Sequence, residues 1–273
     1  ASAQWTAIPA TAPTITEQPK NLDLTYGYTE GSVSVTAAAA TDTTYGDLTY
    51  QWYSNTTNSN SGGTIIDHAT NASYAIPTGK NAGTTEYYYC AVTATRMDNG
   101  QTAAATSNVA TVTVGKATST PATVTANNRT YDGTEKPLVT VDDSTLEGGT
   151  MQYALGTAIE ATEPYTTSIP TATNAGTYYV WYKEKGDDNH YPTDPAVVSA
   201  TIGERDVLIK GLGAMDKIYD DTTTATISGT ASLDNKIASD GVSIQAGNAA
   251  FDSADAGENR TVTLTGYYLI GEA

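Results

Sequence analysis

The stretch Asn81-Ala-Gly-Thr-Thr-Glu-Tyr-Tyr-Tyr-Cys90 decides the fold of this chain, and it has an echo in Asn174-Ala-Gly-Thr-Tyr-Tyr-Val180. Each stretch begins with an asparagine that can bond its own local backbone, followed by a glycine that allows a sharp corner. Each then runs into a tyrosine-rich segment typical of a β-strand. Because the corner occurs twice, the sequence predicts a repeated β-domain.

Composition supports several small β-domains. The chain has 273 residues, 39% of them hydrophobic, and its aromatic residues are 19 Tyr, 3 Trp and 1 Phe. Tyrosine suits a pleated, half-buried surface, and no helical periodicity is present. The length suits two or three sandwich domains of roughly 100 residues each. We therefore expect an all-β protein.

The charge excludes some partners. A net charge of −17 argues against binding to nucleic acid or to an anionic membrane surface, because both require clustered Lys and Arg. Such acidity is more typical of a solubilising surface, with cation binding as the alternative. The single cysteine cannot form an intrachain disulfide, and no apolar run approaches the ~20 residues of a transmembrane helix.

The sequence also predicts the strands and loops on either side of the first corner. Ser32-Val-Ser-Val-Thr36 alternates with period two, and Leu48-Thr-Tyr-Gln-Trp-Tyr53 predicts a strong strand. Residues 54–63, rich in Ser, Asn and Gly, predict a long loop. Asn99-Gly100 is a hairpin signal, and Val109–Val114 predicts the closing strand.

Tyr50-Gln-Trp-Tyr53, the corner at Asn81 and Tyr88-Tyr-Cys90 together resemble the immunoglobulin-like domains of Gram-positive bacterial surface proteins. The resemblance implies three tandem immunoglobulin-like β-sandwiches, the third incomplete. It implies that Trp52 is buried and that Tyr88 and Tyr178 are corner tyrosines. It also implies that Val180 takes, in the second domain, the position that Cys90 has in the first. Strand B has Val33 or Val35 where a partner cysteine would stand, so the cysteine is expected to be a buried free thiol. The residues assigned to the cores are Trp52, Tyr88, Cys90, Tyr178, Val180 and Trp181.

The C-terminal part has its own pattern. Lys217-Ile-Tyr-Asp-Asp-Thr222 echoes Thr130-Tyr-Asp-Gly-Thr134, and Asp255-Ala-Gly257 echoes the corner. The pair is similar to the Tyr-Asp-Gly (YDG) repeat of bacterial surface adhesins. The sequence departs at Asp221, where that family has Gly, so we expect a different type of turn there.

The predicted domain boundaries follow from these patterns. They are a linker at 1–14, immunoglobulin-like domains at 15–116 and 117–204, and a truncated YDG-type domain at 205–273. The segment 115–121, rich in Thr, is expected to be a short linker with few contacts.

Few residues suggest chemistry. His68 and His190 lie in predicted loops without a catalytic arrangement, and no nucleophile, phosphate-loop or zinc motif is present. We therefore expect no enzyme activity and no cofactor. Acidic clusters are weak metal candidates, because Ca²⁺ needs several oxygens from one loop, whereas Asp and Asn are also ordinary turn residues. The best cluster is Asp187, Asp188 and Asn189, in a predicted hairpin.

The predicted function is a non-catalytic structural or adhesive stalk of a bacterial protein. It would be extracellular, in a wall-anchored cell-surface protein, and space a distal functional domain from the wall. We expect a monomer without nucleic-acid binding and without membrane insertion in this segment. The alternative is a module that binds a surface glycan or a host protein through exposed tyrosine rings or through the loop 54–63.

Overall fold

A computed structural model of the protein describes residues 7–41 and 44–271. Within them the regular structure is β-strand, apart from one 3₁₀ turn at Asp143–Thr145. The first ten strands are β1 Thr14–Glu17, β2 Leu22–Thr25, β3 Ser32–Ser34, β4 Thr36–Ala38, β5 Thr49–Asn55, β6 Thr64–Ile65, β7 Ser73–Ala75, β8 Thr85–Thr95, β9 Thr102–Thr106 and β10 Ala110–Gly115.

Eighteen further strands follow, and the all-β prediction is confirmed. Up to the YDG-type region they are β11 Ala117–Thr118, β12 Thr123–Ala126, β13 Arg129–Thr130, β14 Lys136–Pro137, β15 Val139–Asp142, β16 Met151–Gly156, β17 Thr171–Ala172, β18 Gly176–Glu184, β19 His190–Tyr191 and β20 Ala196–Gly203. The last are β21 Leu208–Lys210, β22 Gly213–Ala214, β23 Ile227–Ser228, β24 Ser232–Asp234, β25 Ser243–Gln245, β26 Asn248–Phe251, β27 Val262–Thr265 and β28 Tyr268–Ile270.

The first sandwich has the strand order of an immunoglobulin-like domain. One sheet runs β2-β10-β8-β5-β6, with β9 also paired to β8. The opposite layer consists of the pairs β1–β4 and β3–β7. Strand β10 is antiparallel to β8 but parallel to β2, so the first strand of this sheet lies beside its last. The strands predicted at 32–36, 48–53 and 109–114 and in the tyrosine-rich segment after Asn81 are all present, whereas β9 was not predicted.

The core of this sandwich is the predicted one. Trp52 and Cys90 are fully buried, and Tyr88 is 3% exposed. They pack with Val33 and Val35, which therefore fill the space of a partner cysteine. The indole N–H of Trp52 donates to the carbonyl of Asn71 at 2.9 Å, so the largest core residue leaves no unsatisfied donor.

The second sandwich repeats the same order in shorter form. Its main sheet is β13-β20-β18-β16, and the pairs β12–β15 and β14–β17 form the other layer. Val180 is fully buried, and Tyr153 is 4% exposed where the first sandwich has a tryptophan. The hydroxyl of Tyr178 donates to the carbonyl of Asn174 at 2.8 Å, which is the bond expected of a corner tyrosine.

The assignment of Trp181 to the second core is wrong. Val180 and Glu184 are buried, and because side chains alternate along a strand, Trp181 faces the other side of β18. It is half-buried there, and its indole N–H donates to the carbonyl of Thr157 at 2.8 Å.

Residues 204–271 contain four two-stranded pairs: β21–β24, β22–β23, β25–β28 and β26–β27. Burial in this region is slight. Ala225 and Ala249 are its buried apolar residues, whereas Ile218 is 91% exposed and Tyr219 is 60% exposed.

The described residues divide into two compact units. Unit 1 comprises the described residues up to Pro121 with two later segments, Thr145–Thr150 and Glu184–Asp194. Unit 2 comprises the remainder of the chain. In the part of the chain that the structure describes, no helix is long and apolar enough to cross a membrane.

The buried cysteine generates a first prediction. Burial raises the pKa of the Cys90 thiol to about 11, and the thiolate is the reactive form. The native protein should therefore react with an aromatic disulfide reagent far more slowly than the same protein in denaturant. Equal rates in the two states, measured at one pH, would refute the placement of Cys90 in the core.

Candidate functional site: tyrosine turns and corners

A polar loop packs on the first sandwich within unit 1. The loop follows β18 and contains Asp187, Asn189 and His190. Asp187 Oδ1 accepts bonds from the backbone N–H of Asn189, the backbone N–H of His190 and the His190 ring, all at 2.7–2.9 Å. The bond from the His190 side chain is the main cause that lowers the pKa of the Asp187 carboxyl. The Asp187 carboxylate therefore stabilises the turn formed by residues 187–190.

The side chain of Asn189 contacts the corner of the first sandwich. Its Oδ1 accepts from the backbone N–H of Ala82 at 2.9 Å, and its Nδ2 donates to Asn81 Oδ1 at 3.4 Å. Beside it, the ring of His190 meets the ring of Tyr26 edge-on, with centroids 5.1 Å apart. The corner at Asn81 and the turn at Tyr26 together form a surface that we name the first receiving face.

The expectation of a linker with few contacts is wrong. The Lys116 ammonium donates to the carbonyl of Asp187 at 2.6 Å, and the N–H of Ala117 donates to the carbonyl of Asn189 at 2.9 Å. Further along, Thr120 and Glu147 exchange two backbone bonds of 2.9 Å. Sequence composition identified a segment without a core of its own, but it carried no information on these long-range partners.

The metal prediction concerned the same loop. Asp187 Oδ1 accepts three hydrogen bonds from N–H donors. Asn189 Oδ1 accepts from the backbone N–H of Ala82, and the Asn189 Nδ2 group donates to Asn81. Asp188 is exposed. In residues 7–41 and 44–271 no group of three or more His, Cys, Asp or Glu side chains could hold a metal ion. The described geometry accounts for Asp187 and Asn189 as turn and contact residues, and cation binding stays a prediction.

Unit 2 contains a second receiving face, formed by the turn at Tyr131 and the corner at Asn174 and Ala175. Tyr131 is 7% exposed, and its hydroxyl donates to Oδ1 of Asp240 at 2.7 Å. The hydrogen bond to Asp240 raises the pKa of Tyr131. The corner residues Asn174 and Ala175 line the same cavity of about 430 Å³ as Tyr131 and Asp240. A tyrosine turn and a corner thus again lie beside a polar side chain of a later loop.

The two faces are built in the same way. The N–H of Tyr26 donates to the carbonyl of Gly115 at 2.9 Å, and the N–H of Tyr131 donates to the carbonyl of Gly203 at 2.8 Å. Each tyrosine therefore directly follows a strand that is paired in parallel with the last strand of its sheet. Sequence analysis recognised the Tyr-Asp-Gly signal at 131 but missed its shorter form, Tyr26-Gly27.

The turn at 217–222 matches the turn at 129–134, so the expected difference at Asp221 is not found. Asp221 has φ of 59°, and Gly133 has φ of 72°. Asp220 Oδ1 accepts from Thr222 N at 3.0 Å, as Asp132 Oδ1 accepts from Thr134 N at 3.1 Å. The turn keeps its shape because aspartate tolerates the left-handed region better than most residues do.

The tyrosine-rich strands do not form an open platform. Tyr88 and Tyr89 are buried, whereas Tyr87, Tyr178 and Tyr179 are half-buried. Tyr89 stacks on Tyr53 with ring centroids 5.0 Å apart, and its hydroxyl accepts from Gly63 N at 3.1 Å. The loop 54–63 therefore covers the outward ring, and glycan or host-protein binding there stays a prediction.

The buried carboxylate of Glu184 lies where two segments of unit 1 are in close contact. Glu184 is fully buried, and its Oε1 accepts from the N–H of Gly186 at 3.2 Å. A side chain at Gly149 would approach the backbone of Gly186 to 2.5 Å. Segments 145–150 and 184–194 are thus in close contact because position 149 has no Cβ.

Comparison with known proteins supports part of this description. A family model described as the YDG domain matches residues 204–273. The C-terminal part of the chain is therefore similar to YDG domains, as its sequence pattern predicted. The search of curated proteins found no match.

Several solved structures of tandem β-domains are similar over most of the chain. The first three domains of the bacteriophage RB49 highly immunogenic outer capsid protein are 14% identical, covering 94% of this chain and 80% of that one, with a TM-score of 0.25. Extracellular domains 3–5 of Drosophila OTK are 14% identical, covering 93% and 84%, with a TM-score of 0.29. The four N-terminal immunoglobulin domains of Dscam1 are 9% identical, covering 97% and 71%, with a TM-score of 0.28.

The contact at Gly149 can be tested. Gly149→Ala should destabilise unit 1 by about 1–3 kcal/mol, because the added methyl group meets backbone that cannot rotate away. The measurement is chemical denaturation followed by tryptophan fluorescence.

Gly115→Ala is the matched control for this variant. The nearest atom to its added methyl group is the carbonyl oxygen of Leu24 at 3.6 Å, an ordinary contact. It should change the free energy of unfolding by less than about 0.5 kcal/mol. Equal effects of the two variants would contradict the close packing at position 149.

Proposed function

We propose that this chain is a non-catalytic, load-bearing segment of an extracellular bacterial surface protein. It would act as a spacer between a distal functional domain and the cell wall. The observation that carries the proposal is the parallel pairing of the first and last strands in the main sheet of both sandwiches. In the first, β2 is parallel to β10, and in the second, β13 is parallel to β20.

Parallel pairing determines how such a sheet responds to tension. The chain enters each sandwich through a strand of the other layer, β1 or β12, and next forms β2 or β13 in the main sheet. It leaves the main sheet at the opposite end of β10 or β20, so once the entry strand has detached, the load falls on the parallel pair. Tension therefore pulls the two strands past each other, and their ladder hydrogen bonds are loaded together. In an antiparallel terminal pair the same tension would open the bonds one after another. The arrangement suits a protein that transmits force along its length.

Other features agree with this role. The segment after the first sandwich is hydrogen-bonded at Lys116, Ala117 and Thr120. The net charge of −17 keeps neighbouring molecules apart through electrostatic repulsion. Residues 204–273 match the family model described as the YDG domain. Their Tyr-Asp-Asp pattern also resembles the Tyr-Asp-Gly repeat of bacterial surface adhesins.

The load-bearing role is tested by stretching single molecules of the full chain. Leu24 lies two residues before Tyr26, so by the two-residue alternation of the ladder its N–H faces β10. Leu24→Pro removes this donor, and it should lower the force at which the first sandwich unfolds.

Leu24→Ala is the matched control, because it also loses the leucine side chain but keeps the N–H. Both variants should unfold more easily in denaturant, yet the proline variant should show the additional loss of force. If the two variants unfold at the same force, the ladder between β2 and β10 does not bear the load, and the proposal fails.

A further inference from the structure

An asparagine at the tip of the first sandwich holds part of the segment that precedes β1. Asn99 lies in the exposed loop between β8 and β9, and its Nδ2 group donates to the carbonyl of Ile8 at 2.9 Å. A second bond, from the N–H of Thr11 to the hydroxyl of Tyr45 at 2.6 Å, holds the same segment. The segment 8–11 is therefore attached to the sandwich through the side chains of Asn99 and Tyr45.

The residue that follows Asn99 is Gly100, and this is the only Asn-Gly pair in the sequence. Asparagine is a chemically labile residue, because the backbone nitrogen that follows it can attack its side-chain Cγ atom. Glycine leaves that nitrogen accessible, since it has no side chain. An added Cβ at Gly100 would meet none of the residues that the structure describes within 4 Å, and the whole loop 97–100 is exposed.

The hydrogen bonds of the loop favour attack at the Asn99 amide. Its Oδ1 atom accepts from the N–H of Gln101 at 3.0 Å. This donor stabilises the negative charge that develops on the oxygen when Cγ is attacked. The N–H of Gly100 donates to the carbonyl of Arg96 at 2.9 Å, so the attacking nitrogen becomes free only when this bond opens. Exposed loops open locally at a small cost in free energy.

We propose that Asn99 is a site of spontaneous covalent modification, and that the modification releases the segment 8–11. The nitrogen of Gly100 loses its proton to hydroxide and forms a bond to Cγ of Asn99. The bond between Cγ and Nδ2 breaks, and the amide nitrogen takes up a proton from water and leaves as ammonia. Water then adds to one of the two carbonyl groups of the resulting succinimide ring, which opens to aspartate or isoaspartate.

Both products remove the contact with Ile8. A carboxylate only accepts hydrogen bonds, so it cannot replace the Nδ2 donor, and it repels the carbonyl oxygen of Ile8. In the isoaspartate product the main chain is also one methylene group longer, which disturbs the bond from Arg96 N to the carbonyl of Gln101 that closes the loop. This inference does not depend on the load-bearing role, because it concerns only the loop 97–100 and the segment 8–11.

The modification is tested on the full native chain, incubated at mildly alkaline pH and followed by ¹⁵N-resolved NMR and peptide mass spectrometry. The side-chain amide signals of Asn99 should disappear, with aspartate and isoaspartate appearing at this position. The rate should rise with pH, because the attacking nitrogen must lose its proton. Asn58, an exposed asparagine followed by a serine, is the internal reference and should keep its amide for longer.

Gly100→Asn tests the role of the accessible nitrogen. The added side chain hinders attack, yet asparagine tolerates the left-handed backbone of this position: Gly100 has φ of 71°, and Asn235 already has φ of 69°. The variant should therefore keep the loop and preserve the amide of Asn99. Loss of the Asn99 amide no faster than that of Asn58 in the unmodified sequence, or equally fast in Gly100→Asn, would overturn the proposed site.

Asn99→Asp tests the release, because it introduces one product directly. The backbone signals of Ile8 and Thr11 should shift in this variant without any incubation. Asn58→Asp is the matched control, since it adds the same charge in the loop 54–63, and it should leave both signals in place. If Asn99→Asp leaves the signals of Ile8 and Thr11 unchanged, the amide of Asn99 does not hold the segment, and the proposed release is wrong.

Discussion

The hydrogen bond from a tyrosine N–H to the glycine carbonyl that ends the last strand is the constraint on which both sandwiches depend. It joins Tyr26 to Gly115 and Tyr131 to Gly203. The bond extends the parallel ladder between the first and last strands by one more residue and fixes the start of the turn that follows. Because the turn begins at a fixed point, the tyrosine ring lies beside the corner before β8 or β18, and the receiving face exists as a consequence of the ladder.

Sequence reasoning succeeded where the fold depends on local alternation. Trp52 and Cys90 were assigned correctly because the strand signals around them are strong and they sit at matching positions on paired strands. Trp181 was assigned wrongly because it was placed by residue type, although Val180, one position earlier, already occupied the inward side. The alternation within β18 was sufficient to detect the error.

The candidate site was less predictable, because its contacts join residues far apart in sequence. The bond between Asn81 and Asn189 spans 108 residues, and the bond between Tyr131 and Asp240 spans 109. Composition marked Asp187 and Asn189 as polar turn residues without indicating what they touch. The repeated tyrosine turn can be recognised in the sequence. Its position beside the corner cannot, because the turn and the corner are far apart in the chain.

The single cysteine has a consequence for where the protein can fold. A disulfide of this type typically contributes about 2–5 kcal/mol, and here Val33 and Val35 fill that space with packing instead. The stability of the first sandwich is therefore independent of the redox potential of its surroundings. The chain needs no oxidant or disulfide isomerase, and it can complete this core equally well before or after it leaves a reducing compartment.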